Sequence, residues 1–233
     1  MWLCSRECMA ADGRVVLRDV TVRYGRRIAL EAVSGQFASG SLTAVVGANG
    51  AGKSTLLAAI AGIARLAGGA VNGPPRQRLA YLPQLAEIDR DYPLTVSELI
   101  TLGGWREFGA FRTPGIALRA RAAAAAEAVG LAGRLRRPIA ELSVGELQRA
   151  LFARLILQDA AVILLDEPFA AVDAQTMSLL LDRIMQWHRQ GRTVIVVLHD
   201  LDLVRARFPA TLVLAQRCVA WGATNIALPA MAA

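Results

Sequence analysis

The stretch Gly47–Thr55, which reads GANGAGKST, has the residue types and spacing of a phosphate-binding loop. It matches G-x-x-x-x-G-K-[ST], in which glycines let backbone N–H groups turn toward phosphate oxygens. Lys53 is the only lysine of the chain, and its compact ammonium suits such a loop better than a planar guanidinium. We predict that the loop binds the phosphates of a nucleotide, with ATP favoured, through Gly47, Ala48, Asn49, Gly50, Ala51, Gly52, Lys53, Ser54 and Thr55.

Two adjacent acids, Asp166 and Glu167, follow the apolar run 162–165. Acids at such a position are often only exposed surface residues. Together with the phosphate loop, however, they fit a nucleotide hydrolase, in which a strand-end carboxylate faces Mg²⁺ and a second acid faces the attacking water. We therefore predict Mg²⁺ near Ser54 and Asp166, and Glu167 as the general base.

Short apolar strands and helical patterns alternate around these motifs. Because parallel strands covered on both faces read as near-continuous apolar runs, this order predicts an α/β fold with a mostly parallel sheet. The strands are predicted at 42–46, 78–82, 162–165 and 193–198, and the helices that follow at Lys53–Ala64, Ala174–Gln190 and Leu201–Arg207.

Two other regions depart from this alternation. Val15–Tyr24 and Ile28–Phe37 alternate apolar and polar residues and are joined at Gly25–Arg27, which predicts an antiparallel hairpin. Between Gln84 and Ser143 we expect a helical insertion in the α/β core. Helical patterns there and just beyond lie at Thr95–Leu102, Ile116–Val129 and Glu146–Leu157.

Composition narrows the class of protein. The chain has 233 residues, of which 55% are hydrophobic, and no apolar run is long enough to cross a membrane. Met1–Arg14 lacks the pattern of a signal peptide, so a cytoplasmic location is expected. The net charge of +7 comes from scattered arginines, which favours a solvated surface over a nucleic-acid-binding face and leaves a membrane-facing role for some of this charge open. Cys4, Cys8 and Cys218 fit a reducing compartment, and the first two are interpreted as incidental thiols.

Glu141–Arg149 (ELSVGELQR) distinguishes among the classes of nucleotide hydrolase. It resembles the LSGGQ signature of the nucleotide-binding subunits of ABC transporters. Leu142, Ser143 and Gly145 match, whereas Val144 and Glu146 depart. The resemblance covers residues from about 15 to 222. It implies a P-loop NTPase with a mostly parallel sheet, an antiparallel β subdomain and an α-helical subdomain. The expected divisions are an N-terminal tail at 1–13, the ATPase domain at 14–222 with its helical subdomain at about 85–145, and a C-terminal tail at 223–233.

The same resemblance implies roles for further residues. Tyr24 would stack on adenine, and Gln84 would link Mg²⁺ and water to the helical insertion. Asp173, in the D-loop, would lie between protomers, and His199 would contact the γ-phosphate. The alternatives are a strand aromatic for Tyr24, a polar loop residue for Gln84 and a core histidine for His199. His188 is expected to be structural or exposed.

A mechanism follows from the resemblance. Two copies would close head to tail, with ATP between the phosphate loop of one and Ser143, Gly145 and Glu146 of the other. Glu167 would act as base, while Lys53, His199 and Mg²⁺ stabilise the transferring group. An integral-membrane permease, served by an extracytoplasmic substrate-binding protein, would hold the chain at the cytoplasmic face of the membrane. Val144 disfavours a positive φ and Glu146 adds an acid beside phosphate. Either change could slow turnover without abolishing it, and the sequence alone does not decide this.

Three segments bear on the cargo: Leu82–Leu99, Ala150–Ala160 and Asp166–Ala174. They look most like the ATPases of bacterial importers for zinc, manganese or iron. An ATPase for another cargo, such as an iron chelate, cobalamin or an exported compound, stays open. A non-transport ABC protein acting on nucleic acid is disfavoured, because such proteins usually carry two cassettes or long insertions.

Overall fold

The structure is a computed structural model that describes residues 13–110 and 112–231. Cys4 and Cys8, interpreted above as incidental thiols, lie outside the described residues. The chain divides into two compact units. Among the described residues, the first comprises 13–83, Ala160–Glu167 and 186–231. The second comprises Gln84–Asp159 and Pro168–Met185, and so extends beyond the helical subdomain expected at about 85–145.

The described strands are β1 (Val15–Tyr24), β2 (Arg27–Phe37), β3 (Leu42–Val46), β4 (Gly68–Asn72), β5 (Leu79–Leu82), β6 (Val162–Asp166), β7 (Thr193–Val197), β8 (Ala210–Ala215) and β9 (Arg217–Ala223). The described α-helices are α1 (Lys53–Ile60), α2 (Val96–Thr101), α3 (Trp105–Phe108), α4 (Ile116–Glu127), α5 (Val144–Gln158), α6 (Ala174–Arg189), α7 (Leu201–Arg207) and α8 (Thr224–Ala227).

The larger sheet of the first unit has the strand order β5-β6-β7-β3-β8-β9. All neighbours are parallel except β8 and β9, which form an antiparallel pair at one edge. Every residue of β3, β6 and β7 is buried, as expected for central strands of a covered parallel sheet. The four predicted strands are confirmed. β8 and β9 were not among them.

The smaller sheet is antiparallel, with the order β2-β1-β4. The predicted hairpin forms β1 and β2, which pair from Val15 opposite Phe37 to Tyr24 opposite Arg27. Sequence reasoning missed β4, because its GGAVN sequence is typical of a turn and gains its strand conformation by pairing with β1. The smaller sheet therefore has a third strand beyond the predicted hairpin.

Two predictions in the first unit need correction, one for the end of a helix and one for the C-terminal tail. The helix expected at Lys53–Ala64 ends at Ile60, because Gly62 adopts a φ of +68° and the N–H groups of Ile63 and Ala64 turn back to Ala58 O. Residues 223–233 were expected to form a simple tail, but α8 lies within them. The buried hydroxyl of Thr224 donates to Phe208 O at 2.5 Å, so the start of α8 packs against the end of α7.

The second unit is built mainly of helices. Its longest fully contained helix, α5, buries Leu147, Leu151, Phe152 and Leu155, at spacings typical of one apolar helix face. α2 begins at a capping box in which Thr95 and Glu98 satisfy each other's backbone N–H groups. The predicted helices at 95–102 and 116–129 are therefore confirmed in position, and α5 begins two residues before the predicted Glu146.

The core of the first unit offers a stability test at Phe37. Its ring is 1% exposed and packs against Trp221 with centroids 4.5 Å apart. We expect Phe37→Ala to lower the free energy of unfolding by about 3–5 kcal/mol, because it removes buried apolar surface and leaves a cavity. Urea denaturation measures this. The control is Val219→Ala, at a site 49% exposed, which is expected to change stability by about 0.5 kcal/mol or less. Equal losses in the two variants would contradict this packing.

Candidate functional site

The phosphate loop connects β3 to α1 within the first unit. Gly52 precedes the helix with a φ of +93°, and a Cβ there would lie 2.5 Å from the carbonyl oxygen of Ala29. Both the backbone conformation and the available space thus require glycine. The loop leads into the N-terminus of α1, where the N–H groups of the first turn lack an acceptor within the helix and, with the helix dipole, favour an anion.

Lys53 is the first residue of α1 and is 6% exposed. Its Nζ donates hydrogen bonds to Gly47 O at 2.9 Å and to Ala48 O at 3.0 Å, so the ammonium lies across the loop that precedes it. Burial lowers the pKa of Lys53, and the charges of Glu167 and Asp166 oppose that shift by raising it. Both acids therefore lie close enough to Lys53 to act on its charge, as the sequence motifs predict.

Asp166 and Glu167 lie at the end of β6. Asp166 is fully buried, whereas Glu167 is half-buried and has a φ of +49°. A left-handed conformation costs a non-glycine residue about 1–3 kcal/mol and is found disproportionately at functional sites. The chain thus turns sharply at Glu167, immediately after the buried acid.

His199 is brought to Glu167 by the register of the parallel sheet. Asp166 lies opposite Val197 in the β6–β7 pair, so the residues after both strands emerge at the same edge. His199 Nε2 lies 2.8 Å from Glu167 Oε1, and because a carboxylate only accepts, Nε2 donates in this hydrogen bond. Just beyond, Asp200 caps α7 by accepting from two backbone N–H groups, which fixes the turn that carries His199. The two predicted catalytic side chains are in direct contact.

Tyr24 ends β1 with its ring 57% exposed, which leaves an aromatic face available for stacking. Its partner in the ladder, Arg27, places a guanidinium nitrogen 3.3 Å from the Cβ position of Gly50 in the phosphate loop. Sequence reasoning missed this second cation beside the loop. In the sequence, Arg27 is an arginine three residues after Tyr24. Nothing in the local pattern distinguishes this arginine from the others.

The signature segment lies in the second unit and forms the start of α5. Ser143 is its N-cap, with Oγ accepting from Glu146 N at 3.2 Å, while Glu146 Oε2 accepts from Ser143 N at 2.9 Å. Val144, one of the two departures from the signature, does not adopt a positive φ. Val144 is the first residue of the helix and is absent from the described residues with positive φ, so its β-branched side chain meets no left-handed requirement.

Asp173 lies beside the signature in the same unit. A Cβ on Gly145 would lie 3.3 Å from both Asp173 Oδ2 and Thr176 Oγ1. The carboxylate accepts from Thr176 N and Thr176 Oγ1, each at 2.8 Å, and these bonds lower the pKa of Asp173. The predicted signature and D-loop residues are therefore neighbours.

Two glutamines of the second unit complete the description of the site, and only the first of them was predicted from the sequence. Gln84, its first residue, precedes a short 3₁₀ turn at Leu85–Glu87, and its predicted contact with Mg²⁺ stays a prediction. Gln148 was missed by sequence reasoning. It is 2% exposed, and its Nε2 donates to Pro168 O at 2.8 Å, which holds the residue next in the chain to Glu167.

Comparison with known proteins identifies the family. The family model described as ABC transporter matches residues 30–170. The chain is 40% identical to the zinc transport system ATP-binding protein TroB of Treponema pallidum, over 93% of this chain and 84% of that protein. It is 37% identical to the manganese transport system ATP-binding protein MntB of Listeria monocytogenes, over 88% of each.

Solved structures give the same fold. A transporter assigned to the metal-chelate ABC type, in an inward-facing conformation, matches with a TM-score of 0.80 and 26% identity, over 91% of this chain and 83% of that one. A dimeric bacterial ABC transporter cassette matches with a TM-score of 0.79 and 24% identity, over 90% and 98%. The predicted fold class, a P-loop NTPase with parallel, antiparallel and helical parts, is confirmed.

Proposed function

The chain belongs to the ABC transporter family, and on that premise we propose that it hydrolyses ATP to drive import of a transition-metal ion. The single observation that carries the hydrolytic part is the Glu167–His199 pair at the sheet edge where Lys53 bridges the phosphate loop. A base, a cation and an anion-binding loop converge there within one unit. This is the set of groups that phosphoryl transfer to water requires.

ATP binding is assigned to the phosphate loop and its neighbours. The loop N–H groups surround the β-phosphate, Lys53 exchanges its carbonyl partners for phosphate oxygens, and Tyr24 stacks on adenine. A buried carboxylate and a first-turn hydroxyl form the oxygen donor set that Mg²⁺ prefers, so Asp166 and Ser54 fit that ion. Gln84 is their proposed third partner. When bound, Mg²⁺ would neutralise charge that develops on the phosphates.

Hydrolysis is assigned to Glu167 and His199. Glu167 accepts the proton of the attacking water through a carboxylate that the turn at φ +49° aims from the strand end. His199 donates from Nε2 and can pass this hydrogen bond from Glu167 to a γ-phosphate oxygen. The mutual contact keeps both side chains oriented before the substrate arrives.

We propose a second copy of the chain as the partner that completes the site. The N-terminus of α5 presents Ser143 and the N–H groups of Val144 and Gly145, which have no hydrogen bond within the described part of the chain. Such a helix start suits the γ-phosphate held by the other copy. Asp173, adjacent to Gly145, then lies at the same interface.

The remaining proposed partner is an integral-membrane permease, served by an extracytoplasmic substrate-binding protein. None of the helices in the described residues is long and apolar enough to cross a membrane. We propose that the chain lies peripherally at the cytoplasmic face and holds the permease through its helical unit.

The proposed cargo follows from the relatives, whose names give zinc and manganese transport. Iron is the third metal ion proposed as cargo.

Metal uptake in a strain lacking the gene tests the function. We expect lowered cell content of zinc, manganese or iron, and growth rescue by excess of that metal. A plasmid copy should restore uptake, Glu167→Gln should not, and Glu127→Gln, an exposed acid of α4, should behave as wild type. If none of the three metals rescues growth or differs in content, the metal assignment is overturned.

A further inference from the structure

The starting observation is an acid at the start of α5, where the proposed function requires a phosphate to bind. Glu146 lies three residues after Ser143, in the first turn of the helix. A carboxylate at that position stabilises the helix itself, because it complements the dipole and caps a backbone N–H group. The same charge repels a phosphate that approaches the same turn.

Both oxygens of Glu146 are engaged within the second unit. Oε2 accepts from the backbone N–H of Ser143 at 2.9 Å, which draws the side chain back onto its own helix. Oε1 lies 3.2 Å from Arg134 Nε and 3.9 Å from Arg137 Nη1. The side chain is only 14% exposed, so the charge of Glu146 is enclosed by its partners.

One of these two arginines also contacts a second acid. Arg137 also contacts Glu141, with Nε 3.4 Å from Oε2, while Arg134 faces Glu146. Hydrogen bonds from Ser143 and the charges of Arg134 and Arg137 lower the pKa of Glu146, so this acid stays ionised at neutral pH. At neutral pH the start of the helix therefore carries a negative charge, and the charges of the two arginines offset it.

We propose that Arg134 and Arg137 are positioning residues that neutralise Glu146 and thereby allow the start of α5 to receive the γ-phosphate held by a second copy of the chain. The inference rests on the proposed function and adds residues that sequence motifs did not single out. Glu146 locks Ser143 in place, and the arginines remove the electrostatic cost of using an acid for that purpose. In this way an acidic signature retains an anion-accepting surface.

The test measures ATP-dependent dimerisation by analytical ultracentrifugation in the full chain carrying Glu167→Gln, which we expect to bind ATP without hydrolysing it. In that background, Arg134→Gln/Arg137→Gln should weaken the dimer about tenfold, because an uncompensated charge then faces the phosphate. Adding Glu146→Gln should bring the affinity back to within about threefold of the parent. Raising the salt concentration should shrink the difference, since removal of the two arginine side chains leaves the Glu146 carboxylate open to screening by ions.

Arg112→Gln/Arg119→Gln is the matched control, because it removes two exposed arginines from the same unit and should leave the dimer unchanged. If Arg134→Gln/Arg137→Gln fails to fold by circular dichroism, Arg134→Gln alone should weaken the dimer about threefold. A purely structural role for the arginines would give no rescue by Glu146→Gln and no salt dependence, and either result overturns the proposal. Failure of the parent itself to dimerise would instead overturn the proposed function, and this inference with it.

Discussion

Glu167→Gln is expected to reduce ATP turnover by about 10²–10⁴-fold while ATP binding is retained. The amide has nearly the same shape as the carboxylate, so the turn at φ +49° and a hydrogen bond with His199 can persist. What is lost is the ability to accept a proton from water. Phosphate release measures turnover, and equilibrium dialysis with labelled ATP measures binding.

The control for this variant is Glu127→Gln, which makes the same chemical change at an exposed position of α4 and should leave turnover unaltered. His199→Ala provides a second comparison, because it removes the other half of the pair while the base stays in place. Turnover in Glu167→Gln within about threefold of wild type would exclude Glu167 as the general base.

Lys53→Ala is expected to weaken ATP binding by at least about 100-fold, or about 3 kcal/mol. The ammonium is the one buried cation among the described residues that reaches the loop, through Gly47 O and Ala48 O. Burial already lowers the pKa of Lys53, so the free chain holds this charge at a cost that bound phosphate would relieve. ATP affinity should accordingly fall as pH rises through that lowered pKa. Isothermal titration calorimetry across pH measures both effects.

Lys53→Arg retains the positive charge but changes the shape of the side chain, so it separates the effect of charge on ATP binding from the effect of shape. The planar guanidinium does not fit the space that the ammonium occupies, so we expect this variant to bind ATP almost as poorly as Lys53→Ala. Arg119→Ala removes an exposed positive charge elsewhere and serves as the control. Near wild-type ATP affinity in Lys53→Ala would mean that the loop does not hold the phosphates through this residue.

Sequence reasoning located the motifs and strands that are encoded in neighbouring residues. Gly47–Thr55 and the acids after 162–165 are contiguous motifs, and the buried runs of β3, β6 and β7 are readable without any knowledge of their partners. The parallel pairing of those strands then placed His199 beside Glu167, as a strand-end position predicts.

What was missed depends on contacts between distant residues. β4 is a strand because it pairs with β1. Arg27 approaches Gly50 because the chain turns back after β1 ends at Tyr24. Gln148 contacts Pro168 across 20 positions. α5 begins at Val144, two residues before the predicted Glu146, so Val144 meets no requirement for a positive φ, and Arg134 explains how Glu146 is tolerated. Local periodicity carries no information on these pairings.

The most direct test of a shared ATP site is the mass of the Glu167→Gln chain with and without MgATP. We expect a 24.9 kDa monomer without nucleotide and about twice that mass with it, because ATP joins the loop of one copy to Ser143 of the other. Ser143→Arg should bind ATP but stay monomeric. A chain that remains monomeric at saturating ATP, or a Ser143→Arg variant that dimerises equally well, would contradict the shared site.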